Sequence, residues 1–139
     1  MQKPLLKGIS EAMILLDANI IVRYLTADNE EMAEKAEEYI KCGDAFVTTE
    51  VIEEVIFVLQ KVYGWKRNEI SRLLTEFIHL VIVSDAEVIE CTLEVYGKTN
   101  LDFVDCVLFA YHKLFGFEVA TFDRQLIKIM SRSDAGEEF

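Results

Sequence analysis

The sequence predicts an α/β fold, a mainly parallel sheet covered by helices on both faces. Three observations predict it. Short apolar runs rich in β-branched residues alternate four times with amphipathic helical patterns. Glycines and helix-capping residues punctuate the alternation. Carboxylates gather at strand ends and helix starts, where parallel α/β folds place their chemistry.

Residues 1–12 have no clear period and hold the only proline. They are expected to be a leader or an appended extension, with Met13 near the natural start. Met13 to Leu16 reads as a fully buried strand, being apolar on both faces. Asp17-Ala18-Asn19 ends it, and Ile20 to Leu25 is a short helix or a continued apolar segment. Asn29 to Cys42 is a surface helix whose stripe is Met32, Ala33, Ala36, Tyr39 and Ile40. Its opposite face carries Glu30, Glu31, Glu34, Glu37 and Glu38, a solvated charge run. Gly43 stops it.

Ala45 to Thr48 is a second strand. Thr48 or Thr49 caps the next helix, which Gly64 ends. Lys66 to Phe77 is amphipathic, and Leu80 to Val83 is a third buried strand. Asp85 caps a helix to about Gly97. A helix over LDFVDCVLFAYHKLFG follows, then a strand from Glu118 to Thr121, and a last helix from Asp123 to about Met130. The expected organisation is one domain over 13–132 with a flexible polar tail, 133–139.

The chain is 139 residues long and 52% hydrophobic, enough for a real core and unlike a disordered segment. No run approaches the roughly 20 apolar residues of a membrane span. Cys42, Cys91 and Cys106 are odd in number and scattered, which fits a reducing cytoplasm rather than a disulfide framework. The net charge of −11 opposes non-specific nucleic-acid binding unless part of the acid holds cations. A basic protein partner is the other outlet for that charge.

The carboxylates decide the chemistry. Asp17 follows the first strand and Asp123 the last. Asp102 and Asp105 share a helix face at i and i+3, and Glu50 and Glu54 share one at i and i+4. Taken singly, Asp17, Asp102 and Asp123 each stand where an N-cap belongs, and Asp102-x-x-Asp105 resembles a capping box. Glu54 and Asp105, however, lie beside apolar stripes, where a carboxylate is costly without a partner. Four carboxylates at one sheet edge could not all stay ionised without a cation. Oxygen-only ligands suit Mg2+ or Mn2+, one or two ions, which orient phosphate oxygens and lower the pKa of bound water. The implied reaction is metal-assisted phosphodiester hydrolysis.

These residues resemble the PIN-domain nucleases, and most closely the VapC-type toxins of prokaryotic toxin–antitoxin pairs. MILLDANIIVRYL is similar to the family's first strand with its aspartate. TEVIEEVIFVLQKVYG is similar to the helix with the family glutamate, a role that falls on Glu54. LDFVDCVLFAYHKLFG is similar to the helix with paired aspartates, where Asp105 matches the principal ligand. VATFDRQL is similar to the segment that closes the site with Thr121 and Asp123. The resemblance implies a three-layer α/β/α sandwich with a central, mainly parallel sheet of four to five strands. It implies a Mg2+- or Mn2+-dependent endoribonuclease that arrests translation by cutting tRNA, rRNA or mRNA, a small antitoxin partner, a homodimer and a cytoplasmic location. Catalysis and metal binding then fall to Asp17, Glu54, Asp105 and Asp123, with Asp102 as a further ligand candidate. Asn19 and Thr121 would orient carboxylates or water. Arg23, Lys113, Arg124, Lys128 and Arg132 are candidate phosphate contacts, although scattered cations fall short of a basic stripe.

Other classes fit less well. A receiver module would need an acidic pair after the first strand and a lysine after the last. A haloacid-dehalogenase-like phosphatase would need Asp-x-Asp, where this chain has Asp17-Ala18-Asn19. No glycine-rich phosphate loop follows a strand. His79 and His112 lack zinc-ligand spacing. Phe57, Tyr63 and Trp65 read as core residues or as an apolar docking patch. An RNA-processing PIN nuclease without an antitoxin, and a non-catalytic PIN-fold binding module, remain alternatives.

Overall fold

The computed structural model describes residues 13–138, so the expectation for residues 1–12 lies outside the described residues. These residues form two compact units: one reaches to Gly64 and resumes over Glu76–Ser84, and the other comprises Trp65–Thr75 and everything from Asp85 onward. The class is α/β, as the alternation predicts.

The first unit holds the sheet. Strands β1 (Ile14–Leu15), β2 (Ala45–Val47) and β3 (Ile82–Val83) pair in parallel in the order β1-β2-β3. The register sets Ile14 against Ala45 and Phe46 against Ile82. Parallel neighbours require crossover connections, and helices supply them. Helix α1 (Ala18–Thr26) and helix α2 (Glu30–Lys41) lie between β1 and β2 in sequence, and α3 (Thr49–Lys61) follows β2. Helix α1 packs against both α2 and α3. Asn29 caps α2 through its side-chain oxygen at 3.0 Å from the Met32 amide, and Thr48 caps α3 at 3.3 Å from the Val51 amide. Gly43 and Gly64 take the left-handed conformation that ends each helical segment (φ +83° and +69°). Ile21, Val22, Ala36, Val47, Ile52, Val55 and Leu59 are buried.

The second unit is helical. It contains most of α4 (Arg67–Phe77), then α5 (Ala86–Lys98), α6 (Phe103–Phe115) and α7 (Arg124–Asp134). Helix α6 packs on α5 and on α7. Ile70, Leu74, Leu93, Tyr96, Phe109 and Leu126 are buried, and Ser71 of α4 donates to the Leu93 carbonyl of α5 at 2.7 Å.

Five expectations need correction. The described residues form three strands rather than four to five, because Glu118–Thr121 makes no sheet ladder; Glu118 and Ala120 are exposed. A strand exists only by pairing, and an apolar run cannot supply its own neighbour. The first strand is not fully buried: Leu15 is 71% exposed, while Leu16 just beyond the strand is buried. The third is only half-buried, and Leu80 before it is exposed. Asp85 stands at the start of α5 but makes no cap bond, since its own backbone is left-handed (φ 52°). The last helix also runs past Met130 to Asp134.

Candidate active-site residues

The candidate carboxylates are shared between the units. In the first, Asp17 follows β1 and starts α1, its Oδ1 accepting from the Ala18 amide at 2.8 Å. Glu54 lies in α3, which starts just beyond β2. Because β1 and β2 are adjacent and parallel, Asp17 and the start of α3 stand at the same carboxyl edge of the sheet. That edge was expected to be defined by Asp17 and Asp123; with no strand before Asp123, it is defined by Asp17 and the Glu50–Glu54 helix instead. Glu54 is also exposed, so the argument from its desolvation is overturned. The buried stripe of α3 is Ile52, Val55, Ile56 and Leu59, and Glu54 projects off it. Asn19 is exposed in the first turn of α1.

In the second unit the acids interact. Asp102 caps α6, its Oδ1 accepting from the Asp105 amide at 2.9 Å. Asp123 caps α7, accepting from the Leu126 amide at 2.8 Å, and the Thr121 hydroxyl accepts from the Asp123 amide at 3.0 Å. Asp105 is half-buried, and its carboxyl is pushed above the ordinary carboxylate range by burial first, then by Asp102 and Asp123. Capping and ligation are therefore compatible here. Asp102 and Asp123 each commit one oxygen to a helix amide and have a second carboxylate oxygen.

The donor chemistry fits a hard divalent ion, since all five candidates offer carboxylate oxygen. The raised Asp105 is the observation that favours it, because a cation beside that carboxyl would favour its charged form. Among the described residues, no group of three or more His, Cys, Asp or Glu side chains is already arranged to hold a metal.

Residues 14–130 match the family model described as PIN domain. The chain belongs to the PIN-domain family. It is 29% identical over 125 residues to a VapC ribonuclease of Aquifex aeolicus (strain VF5), an alignment that covers 84% of this chain and 92% of the relative. No solved structure matches the chain.

The cations of this PIN domain differ in availability. Arg23 pairs with Asp28 at 2.8 Å, and Tyr63 donates to the same carboxylate at 2.6 Å. The Tyr63 hydroxyl and the Arg23 guanidinium hold Asp28 at about 2. Arg132 is engaged by Glu137 at 3.5 Å and donates to the Glu138 carbonyl. Lys113 is exposed, and it lines a groove of about 610 Å3 with Lys98 and three glutamates. Arg124 and Lys128 are exposed on one face of α7, one turn apart and just after Asp123. Phe57 is 58% exposed, whereas Tyr63 is half-buried and bonded to Asp28. No cysteine stands ready as a buried nucleophile: burial pushes Cys106 up to about 12 and also raises Cys91.

His112 is a residue whose role the sequence did not show. Its Nδ1 stands 2.7 Å from the Phe117 carbonyl, and its Nε2 stands 2.7 Å from Asp134 Oδ1. Both partners only accept, so the ring satisfies both only as the imidazolium, which donates from each nitrogen. The Phe117 carbonyl, then Asp134, raise its pKa. His112 thereby ties the end of α6 to the end of α7 and to the start of the segment that carries Thr121 and Asp123. Tyr111, Phe115 and Phe117 pack beside it with ring centroids 5.7–6.1 Å apart.

A folded pKa above the unfolded value gives stability that is complete below about 6.5 and is lost as pH rises through the folded value. The unfolding free energies of the wild type and His112→Gln are therefore expected to differ at pH 6 by about 1 kcal/mol, reduced by solvent at Asp134, and to converge as pH rises through the folded value. A gap that is constant with pH would show that the imidazolium contributes nothing.

Proposed function

We propose that this PIN domain is a Mg2+- or Mn2+-dependent endoribonuclease of the VapC type, hydrolysing RNA phosphodiester bonds. The observation that carries the reading is the family match over residues 14–130, a span containing Asp17, Glu54, Asp102, Asp105 and Asp123. The similarity to the Aquifex aeolicus VapC ribonuclease supports the ribonuclease assignment. The raised carboxyl of Asp105 supports the cation requirement.

In this reading Asp17, Glu54, Asp105 and Asp123 hold one or two ions, with Asp102 as a further ligand. The bound cation supplies a Lewis acid for phosphate oxygens and an acidified water. The chain's own residues do the rest. Thr121 fixes the backbone of Asp123, Asp102 orients the first turn of α6 beneath Asp105, and Arg124 and Lys128 offer positive charge to the RNA backbone. Accessible phosphates occur in single strands and loops of tRNA, rRNA or mRNA. With a net charge of −11, bound divalent cations would offset the repulsion between protein and RNA. The reading includes a small antitoxin that neutralises the enzyme, a homodimer, a cytoplasmic location and an arrest of translation. Among the described residues no helix is long and apolar enough to cross a membrane.

The test is cleavage of a panel of structured RNAs by the purified chain with Mn2+ or Mg2+. Discrete fragments are expected with either ion, and EDTA is expected to abolish them, with recovery on adding Mn2+ in excess. Cleavage indifferent to EDTA would reject the metal requirement. RNA binding without cleavage would favour a binding module. A small reading frame beside the coding sequence, whose product blocks cleavage, separates a toxin from an RNA-processing nuclease.

A further inference from the structure

Arg67 opens α4, and its side chain is accounted for by none of the roles above. Its Nε donates to the Tyr96 carbonyl at 3.0 Å, and a terminal nitrogen donates to the Leu101 carbonyl. The guanidinium carbon lies 3.7 Å from the centroid of the buried Tyr96 ring. One side chain thus grips both ends of the connection between α5 and α6. Tyr96 is in the last turn of α5, and Leu101 immediately precedes Asp102, the cap of α6. A planar guanidinium forks onto two acceptors while it stacks on a ring; an ammonium has no planar fork with which to do both at once.

The rest of the connection is pinned with equal economy. The Thr99 hydroxyl donates to the Val95 carbonyl at 2.8 Å and accepts from the Leu101 amide at 3.2 Å. The Cys106 thiol approaches the Leu101 carbonyl at 3.7 Å. Both backbone groups of Leu101 are therefore taken, and its side chain is 2% exposed. The next residue is Asp102, whose carboxylate fixes the Asp105 amide. Displacing the Leu101 carbonyl would displace the first turn of α6 and both carboxylates with it.

We propose that Arg67 is the positioning residue of the Asp102–Asp105 pair, holding the α5–α6 connection so that the two carboxylates meet a divalent cation in a fixed arrangement. This rests on the reading that the pair serves a metal. Groups that orient ligands from behind typically alter metal affinity by about 10–100-fold. A bond that merely stabilises the fold alters the thermal midpoint and leaves affinity alone.

The experiment titrates the full chain with Mn2+, following free Mn2+ by electron paramagnetic resonance, for wild type, Arg67→Lys and Ser71→Ala. Thermal midpoints and amide exchange at Asp105 are read alongside. Ser71→Ala removes the Ser71–Leu93 bond between α4 and α5 and leaves the connection untouched. Arg67→Lys is expected to weaken Mn2+ binding about 10-fold, to speed exchange of the Asp105 amide and to lower kcat with little change in KM for RNA. Ser71→Ala is expected to lower the midpoint with wild-type Mn2+ affinity. Wild-type affinity in Arg67→Lys overturns the inference and leaves the metal reading standing. An equal loss of affinity in Ser71→Ala overturns it as well, because general loosening would then suffice. Absence of Mn2+ binding by the wild type overturns the metal reading, and the inference falls with it.

Discussion

Asp105→Asn is expected to raise the thermal midpoint of the metal-free protein by a few degrees while lowering RNA cleavage by about 10²–10³-fold. The two changes run in opposite directions, which is what makes the variant informative. Burial first, then Asp102 and Asp123, push the Asp105 carboxyl up. A carboxyl with its folded pKa above the unfolded value favours the fold at low pH. That contribution is lost as pH rises through the folded pKa, and above that pH the ionised group opposes folding. Asparagine keeps the shape and removes the charge. It also removes an anionic ligand, and the metal contribution to phosphodiester hydrolysis is worth several kcal/mol. Mn2+ should raise the midpoint of the wild type more than that of Asp105→Asn. Cleavage that is unchanged, or a midpoint that falls along with cleavage, would mean that Asp105 is a structural residue and not a ligand.

Helices were legible because their signals are local. Asp102 and Asp123 each cap the helix that their position announced, and of Thr48 and Thr49 it is Thr48 that caps α3. Gly116 ends α6 with φ +71°. The interaction of Asp102 with Asp105 was likewise implicit in their i, i+3 spacing. Apart from Glu54, what failed was non-local. Glu118–Thr121 has the composition of a strand, but pairing is decided by another segment. An apolar run shows that a strand is greasy and not which face is covered, so Leu15 and Leu80 were misjudged. Glu54 was a misreading of available information, since the period that buries Ile52, Val55, Ile56 and Leu59 already excludes it. Arg67 and His112 carried no readable signal. Arg67 meets acceptors 29 and 34 positions away, and one His112 partner lies 22 away, distances at which sequence spacing implies nothing.

Gly97→Ala is expected to destabilise the protein by about 1–3 kcal/mol, although the same change in an ordinary helix interior gains about 1 kcal/mol. Gly97 lies in α5, and a Cβ built there would stand 2.6 Å from Ser71 Cβ and 2.7 Å from Ser71 Oγ of α4. Both distances are below what real contacts tolerate, and the Ser71 hydroxyl is held by its bond to Leu93 at 2.7 Å. Ser71→Gly deletes both clashing atoms. It costs stability by itself through the lost bond and the helical glycine. In that background, however, Gly97→Ala should become neutral or stabilising, because only its helix propensity remains. The sign of the alanine effect therefore inverts between the two backgrounds, and urea unfolding of the four proteins measures it as a coupling energy. A destabilisation of equal size in both would place the cost elsewhere than at Ser71. Close approach of α4 to α5 at Gly97 also sets the reach of Arg67, which lies one turn before Ser71 and grips Tyr96 and Leu101. Gly97→Ala should therefore speed exchange of the Asp105 amide even under conditions where the protein remains folded, linking a glycine with no side chain to the carboxylates at the head of α6.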